Sequence, residues 1–176
     1  VERIPKGITP GFNWNQGKDR NENIKNILTE KFNNFYGGAK HIIDSGLWDD
    51  PEYTRQEQHA ILYYEEIRKR KSDIAKIAKN TKMSIDKIEA IKQHVFFTEH
   101  EIDGEKVRFT ESYKISEAWR RLQTADFLPE DLLLLQHEYL ELTLMKNLGY
   151  TYGQAHVEAN KKFNWAKAAQ HLKGYF

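Results

Sequence analysis

Residues 132–156, LLLLQHEYLELTLMKNLGYTYGQAH, constrain this chain more than any other stretch. They form its most apolar run, yet a histidine and two glutamates interrupt them. Pro129, Glu130 and Asp131 stand where a first helical turn belongs. Proline's fixed φ suits a position whose N–H has no helical partner, and carboxylates suit the positive end of the helix dipole. Gly149 closes the run, as a residue just past a helix end does. On a helix, His137 and Glu141 share a face, and Glu138 lies about 100° round from His137. His156 follows on what reads as the next helix. Such groups inside a leucine-rich helix are costly unless partnered, so a chemical site is to be sought here first.

The 176 residues suit one domain of ordinary size with an appended arm. An apolar share of 39% can build a core, and a charged share of 30% keeps the surface soluble. The net charge of +1 gives no general pull toward nucleic acid or membrane, although a local basic patch stays open. The absence of cysteine excludes disulfides, thiol nucleophiles and thiolate-bound zinc. No apolar run approaches a membrane span, and no signal peptide is visible. The chain starts at Val1 rather than Met, as expected of a fragment or a processed product, so a targeting signal can lie upstream.

The pattern predicts a mainly α fold: an irregular arm over residues 1–20, then a single helical domain over 21–176 with one short β-hairpin at most. Pro5, Gly7, Pro10, Gly11 and Gly17 punctuate the arm, and Ile4, Phe12 and Trp14 can anchor it. Helical spacing recurs over 23–36, 39–48 and 51–71; the last ends in the basic run Arg68-Lys69-Arg70-Lys71, which reads as a solvated C-terminus. Residues 72–78 and 84–96, each opened by a serine, make two helices around a short turn. That spacing is like a helix-turn-helix, but the second helix offers the mixed face Asp86, Lys87, Glu89, Lys92 and Gln93. It reads as a packing unit rather than a DNA reader. Asp103-Gly104 marks a hairpin within 97–110. Further helices are expected over 115–122, 152–163 and 165–172.

Two constellations carry possible chemistry. Zinc hydrolases of the HExxH type use two histidines one turn apart as ligands and the intervening glutamate as general base. Here His137-Glu138-Tyr139-Leu140-Glu141 replaces the second histidine by a carboxylate, which also ligates zinc. His137, Glu141 and His156 are the candidate ligands for zinc or another divalent metal, with Glu138 as base. The second constellation needs no metal: His94, His100, His137 and His156 with Glu138 for acid–base chemistry on RNA, and Arg108 or Arg121 for phosphate. Beside both stands a structural reading, in which the histidines are core residues bonded to carboxylates and the arginines are ion-paired. Tyr63, Tyr64, Trp119, Phe163 and Trp165 could form a base-stacking platform, but they read by preference as core.

Two stretches resemble known families. Residues 3–18, RIPKGITPGFNWNQGK, are similar to the terminal segment of phage minor head proteins of the Mu protein F-like, head-morphogenesis class. They depart from that pattern at Asn13, Trp14 and Gln16. Residues 91–165 resemble a C-terminal module of phage head proteins and of multidomain secreted bacterial toxins. The matching features are His94, Arg108-Phe109, Trp119 with Arg121-Leu122, His137-Glu138 with Glu141, and Ala155-His156. The resemblance implies an effector-like domain of a phage or prophage minor head protein, associated with the virion and delivered to or expressed in bacterial cytoplasm. Its implied partners are phage head or portal proteins, or a host macromolecule. It marks His94, Arg108, His137, Glu138 and His156 as a site without choosing between metal-dependent peptidase and nuclease. A non-enzymatic, capsid-associated interaction module is the competing reading.

Overall fold

A computed structural model describes residues 50–174. The expected arm over 1–20, the helices expected over 23–36 and 39–48, and the last two residues lie outside these. The described residues are mainly helical with one two-stranded antiparallel hairpin, as expected.

Helix α1 spans Pro51–Lys69 and opens on Asp50, whose side chain accepts from the N–H groups of Glu52 and Tyr53. Such a cap satisfies N–H groups that have no intrahelical partner. The basic run at its end is only partly solvated. Arg68 donates to the Phe96 carbonyl at 2.6 Å, and Arg70 donates to Gln123 at 2.8 Å.

Helices α2 (Asp73–Thr81) and α3 (Ile85–Lys92) form the expected pair. Ser84 caps α3, but Ser72 makes no capping bond. Asp73 is instead the buried anion of a polar knot. Lys92 Nζ lies 2.9 Å from its carboxylate and Trp119 Nε1 donates to it at 3.0 Å. Lys92 also donates to the Arg70 carbonyl at 2.6 Å. Lys92, part of the mixed face read from sequence, is thus a buried tie between α1, α2 and α3, which fits the packing reading of this pair.

After Lys92 the helix widens into one π-helical turn, Gln93–Phe97, which Thr98 closes by donating from its N–H to the Gln93 carbonyl at 2.8 Å. The wider turn buries His94, Val95 and Phe96 in succession. Strands β1 (Glu99–Ile102) and β2 (Glu105–Arg108) follow, with His100 opposite Val107 and Glu99 opposite Arg108. Asp103 and Gly104 both take positive φ, as this two-residue turn requires.

Helix α4 (Tyr113–Thr124) carries Trp119 and Leu122 into the core with Tyr64, Ile67, Ile77, Ile88, Ile91, Phe96 and Leu135. Helix α5 (Pro129–Leu148) is the leucine-rich one. Its N-terminus is locked by Asp131, which accepts from the Leu128 N–H and pairs with both forks of Arg121 at 2.7 and 2.8 Å. Gly149, at φ 67°, ends it. Helix α6 (Tyr152–Lys162) then packs back along α5, and α7 (Trp165–Ala168) with a 3₁₀ turn completes the described fold. Tyr63, Tyr64, Trp119 and Trp165 are all buried, so they are core residues rather than a stacking platform.

Candidate metal centre

Three elements meet at the site. The π-turn brings His94, α5 brings His137, Glu138 and Glu141, and the first turns of α6 bring His156. The α5–α6 connection is short enough to return α6 beside α5, which is why residues 137 and 156 meet.

His137 is held from behind. Its Nδ1–H donates to the Phe163 carbonyl at 2.8 Å, which leaves the Nε2 lone pair facing inward. From His137 Nε2, His156 Nδ1 lies 3.3 Å away and Glu141 Oε2 3.5 Å; His156 Nδ1 and Glu141 Oε2 are 2.8 Å apart. Metal–ligand bonds of about 2.0–2.2 Å in tetrahedral array put neighbouring ligand atoms about 3.3–3.6 Å apart. Two sides of the triangle match that spacing, and the third, the 2.8 Å hydrogen bond, would have to open slightly for a zinc ion to sit on this face with a fourth corner left for water or substrate. His94, Glu138 and Glu141 make a second grouping whose ligand atoms also lie within 4.8 Å of one another.

Glu141 joins the two groupings. Its Oε1 accepts from His94 Nε2–H at 2.8 Å and its Oε2 accepts from His156 Nδ1–H at 2.8 Å, while only 1% of the residue is exposed. Burial alone would push this carboxyl up, but the three histidines gathered round it, His137, His156 and His94, outweigh it and hold the group well below the usual range. Glu138 differs. Burial, then the neighbouring Glu141 charge, raise it well above an ordinary carboxylate, and His137 only partly offsets this. His94 Nε2 lies 3.7 Å from it, beyond hydrogen-bond reach. Burial opposes the charged form of His137, yet the adjacent carboxyl groups of Glu141 and Glu138 raise it overall.

His100, on β1, donates from Nε2 to the His94 carbonyl at 2.9 Å and stacks on Phe109 with centroids 4.1 Å apart. Its ring also meets the His94 ring edge-on, with centroids 4.6 Å apart. Arg108 is placed elsewhere. It is exposed, and it sits opposite Glu99 on the hairpin face that alternates with the buried His100. The structure does not bring it to the cluster. Arg121, the other phosphate candidate, is spent on Asp131.

A cavity of about 240 Å³ opens on the centre. His137, Glu138, Glu141 and His156 form its polar floor, and Val95, Ile102, Phe109, Ile115, Tyr152 and Trp165 line its walls. Asn160 also lines it, and its Oδ1 is buried with no hydrogen-bond donor among the described residues. Neither Asn160 nor the Phe163 carbonyl was singled out from sequence. Asn160 is legible in hindsight, one helical turn beyond His156 on the same face; a backbone carbonyl carries no residue signal.

Comparison of the chain with protein-family models, with curated proteins and with solved structures finds no match.

Proposed function

We propose that this chain is a metal-dependent hydrolase with His137, Glu141 and His156 as metal ligands and Glu138 as general base. The observation that carries the reading is the triangle of His137 Nε2, Glu141 Oε2 and His156 Nδ1, with sides of 2.8 to 3.5 Å. Two histidines and a glutamate with an open fourth position are a zinc set suited to hydrolysis. This triangle is favoured over the second grouping because His156, with 40% of its side chain exposed, puts it next to solvent, whereas His94, Glu138 and Glu141 are all buried.

A divalent cation held there would polarise the substrate and the attacking water. Glu138, raised above ordinary carboxylate basicity by burial and by Glu141, is suited to take a proton from that water. The water oxygen bonds to the electrophilic centre, the bond to the leaving atom breaks, and Glu138 returns the proton to that atom. His94 holds the second oxygen of Glu141, which fixes the ligand's orientation. In this reading His94 positions a ligand rather than touching substrate, and Arg108 has no part.

The biological setting we propose is that implied by the sequence resemblance: an effector-like domain of a phage minor head protein, acting on a host macromolecule. The test has two readouts. Purified protein should hold about one equivalent of zinc, lost in His137→Ala with the helical circular dichroism retained. Expression in bacterial cytoplasm should arrest growth, and Glu138→Ala should relieve the arrest without loss of zinc. Absence of bound metal would reject the reading in favour of a non-enzymatic interaction module. Undiminished toxicity of Glu138→Ala would remove Glu138 from the base role.

A further inference from the structure

Resting on the hydrolase reading, we infer that the bond cut is an uncharged amide, a peptide bond flanked by an apolar side chain, and that Asn160 Oδ1 accepts a hydrogen bond from a substrate N–H. Three observations carry this. The first is charge. Among the described residues that line the cavity there is no lysine or arginine, while Glu138 and Glu141 both face it. The lining therefore offers carboxyl groups and imidazoles but no permanently positive side chain to neutralise a phosphodiester. Phosphate-binding sites use arginine forks, lysines or helix N-termini for that purpose. Here Arg121 is committed to Asp131, and Arg108 sits on the other face of the hairpin.

The second observation is shape and lining. The cavity, at about 240 Å³, is smaller than the 300–1,000 Å³ typical of pockets for drug-sized ligands. Val95, Ile102, Ile115 and Trp165 give it an apolar wall suited to one aliphatic or aromatic side chain. Its aromatic Phe109 is already stacked against His100, with the rings 12° from parallel, so that face is closed to a nucleobase.

The third is the buried acceptor. A polar atom shielded from water without a donor is costly. Asn160 Oδ1 is such an atom, and its residue lines the same cavity, one helical turn beyond His156. A peptide supplies the missing donor from its backbone, whatever its side chains, whereas the sugar-phosphate backbone of DNA has no N–H to offer.

The experiment uses the full chain loaded with zinc, its metal content measured first. It is incubated with a mixture of random decapeptides and, separately, with single- and double-stranded RNA and DNA oligonucleotides, and the products are read by mass spectrometry. The expected result is cleavage of peptides beside Leu, Phe, Met or Ile, with the oligonucleotides intact. Asn160→Ala should then lower kcat/KM on the best peptide by about tenfold or more at unchanged zinc content. It should also weaken binding of N-acetyl-leucinamide followed by tryptophan fluorescence, a readout that needs no turnover. Cleavage of an oligonucleotide, or of peptides beside charged residues, by zinc-loaded protein overturns this inference and leaves the hydrolase reading standing. An Asn160→Ala variant equal to the parent in both binding and turnover overturns the role of Asn160. Failure to hold zinc, or zinc-loaded protein that cuts neither class, overturns the hydrolase reading itself.

Discussion

Replacing Glu141 by glutamine separates a metal ligand from a structural carboxylate. In the metal-free protein, Glu141 accepts two imidazole N–H bonds at 2.8 Å and is almost fully buried. Hydrogen bonds to a charged group contribute about 1.5–3 kcal/mol each, while burying the carboxylate costs several kcal/mol. The terms oppose one another and are of similar size, so Glu141→Gln should leave the metal-free melting temperature within a few degrees of the parent. Zinc binding should change far more, because a neutral amide is a poor ligand and its NH₂ group repels the cation. Zinc at about a hundred times its Kd stabilises the native state by about 2.7 kcal/mol. In a chain of this size each kcal/mol moves Tm by about 2–4 °C, so zinc should raise the parent's Tm by about 5–11 °C and leave the variant nearly unmoved. Differential scanning calorimetry in zinc and in EDTA measures both. A variant that gains as much as the parent would show that Glu141 is not a ligand. A parent that gains nothing would refute the centre as a whole.

Two further predictions follow from other parts of the fold. Lys92→Met strands the fully buried Asp73 carboxylate, so it should destabilise the protein by about 3–5 kcal/mol; adding Asp73→Asn should recover a large part of that loss, as read from urea midpoints. His100 is lowered, first by burial, so the unfolded chain takes up its proton before the folded one does. Its contribution is full above the ordinary histidine value of about 6.5 and is lost as pH falls below it. His100→Phe, which keeps a ring beside Phe109, should therefore show a smaller fall in metal-free urea midpoint between about pH 7.5 and 5.5. Equal falls in the two proteins would contradict this.

Local chemistry was enough for most of the described elements, although not for the π-turn over Gln93–Phe97. Pro129 and Gly149 bracket α5, Asp103-Gly104 turns the hairpin, and Ser84 caps α3, because each acts on backbone within a few residues of itself. The face shared by His137 and Glu141 is equally local, since a helix repeats every 3.6 residues. Ser72 shows the limit of such reading. Its type suits a cap, but the neighbouring Asp73 is drawn into the interior by Lys92 and Trp119, partners 19 and 46 residues away.

The sign and use of charge lay beyond sequence for the same reason. Arg108 and Arg121 are chemically alike and both read as phosphate binders. Strand alternation turns Arg108 outward, and Asp131, as a buried cap of α5, claims Arg121. Nothing local could separate Glu138 from Glu141 either. Their opposite shifts arise because histidines from the π-turn, from α5 and from α6 gather on one carboxylate and leave the other in an apolar setting. Helices, caps and the His137–Glu141 register thus follow from the order of residues alone, since they depend on contacts within about one turn. The closure of His94 and His156 on Glu141, the eviction of Arg108 and the unpaired oxygen of Asn160 depend on how distant elements pack, and only the folded chain decides them.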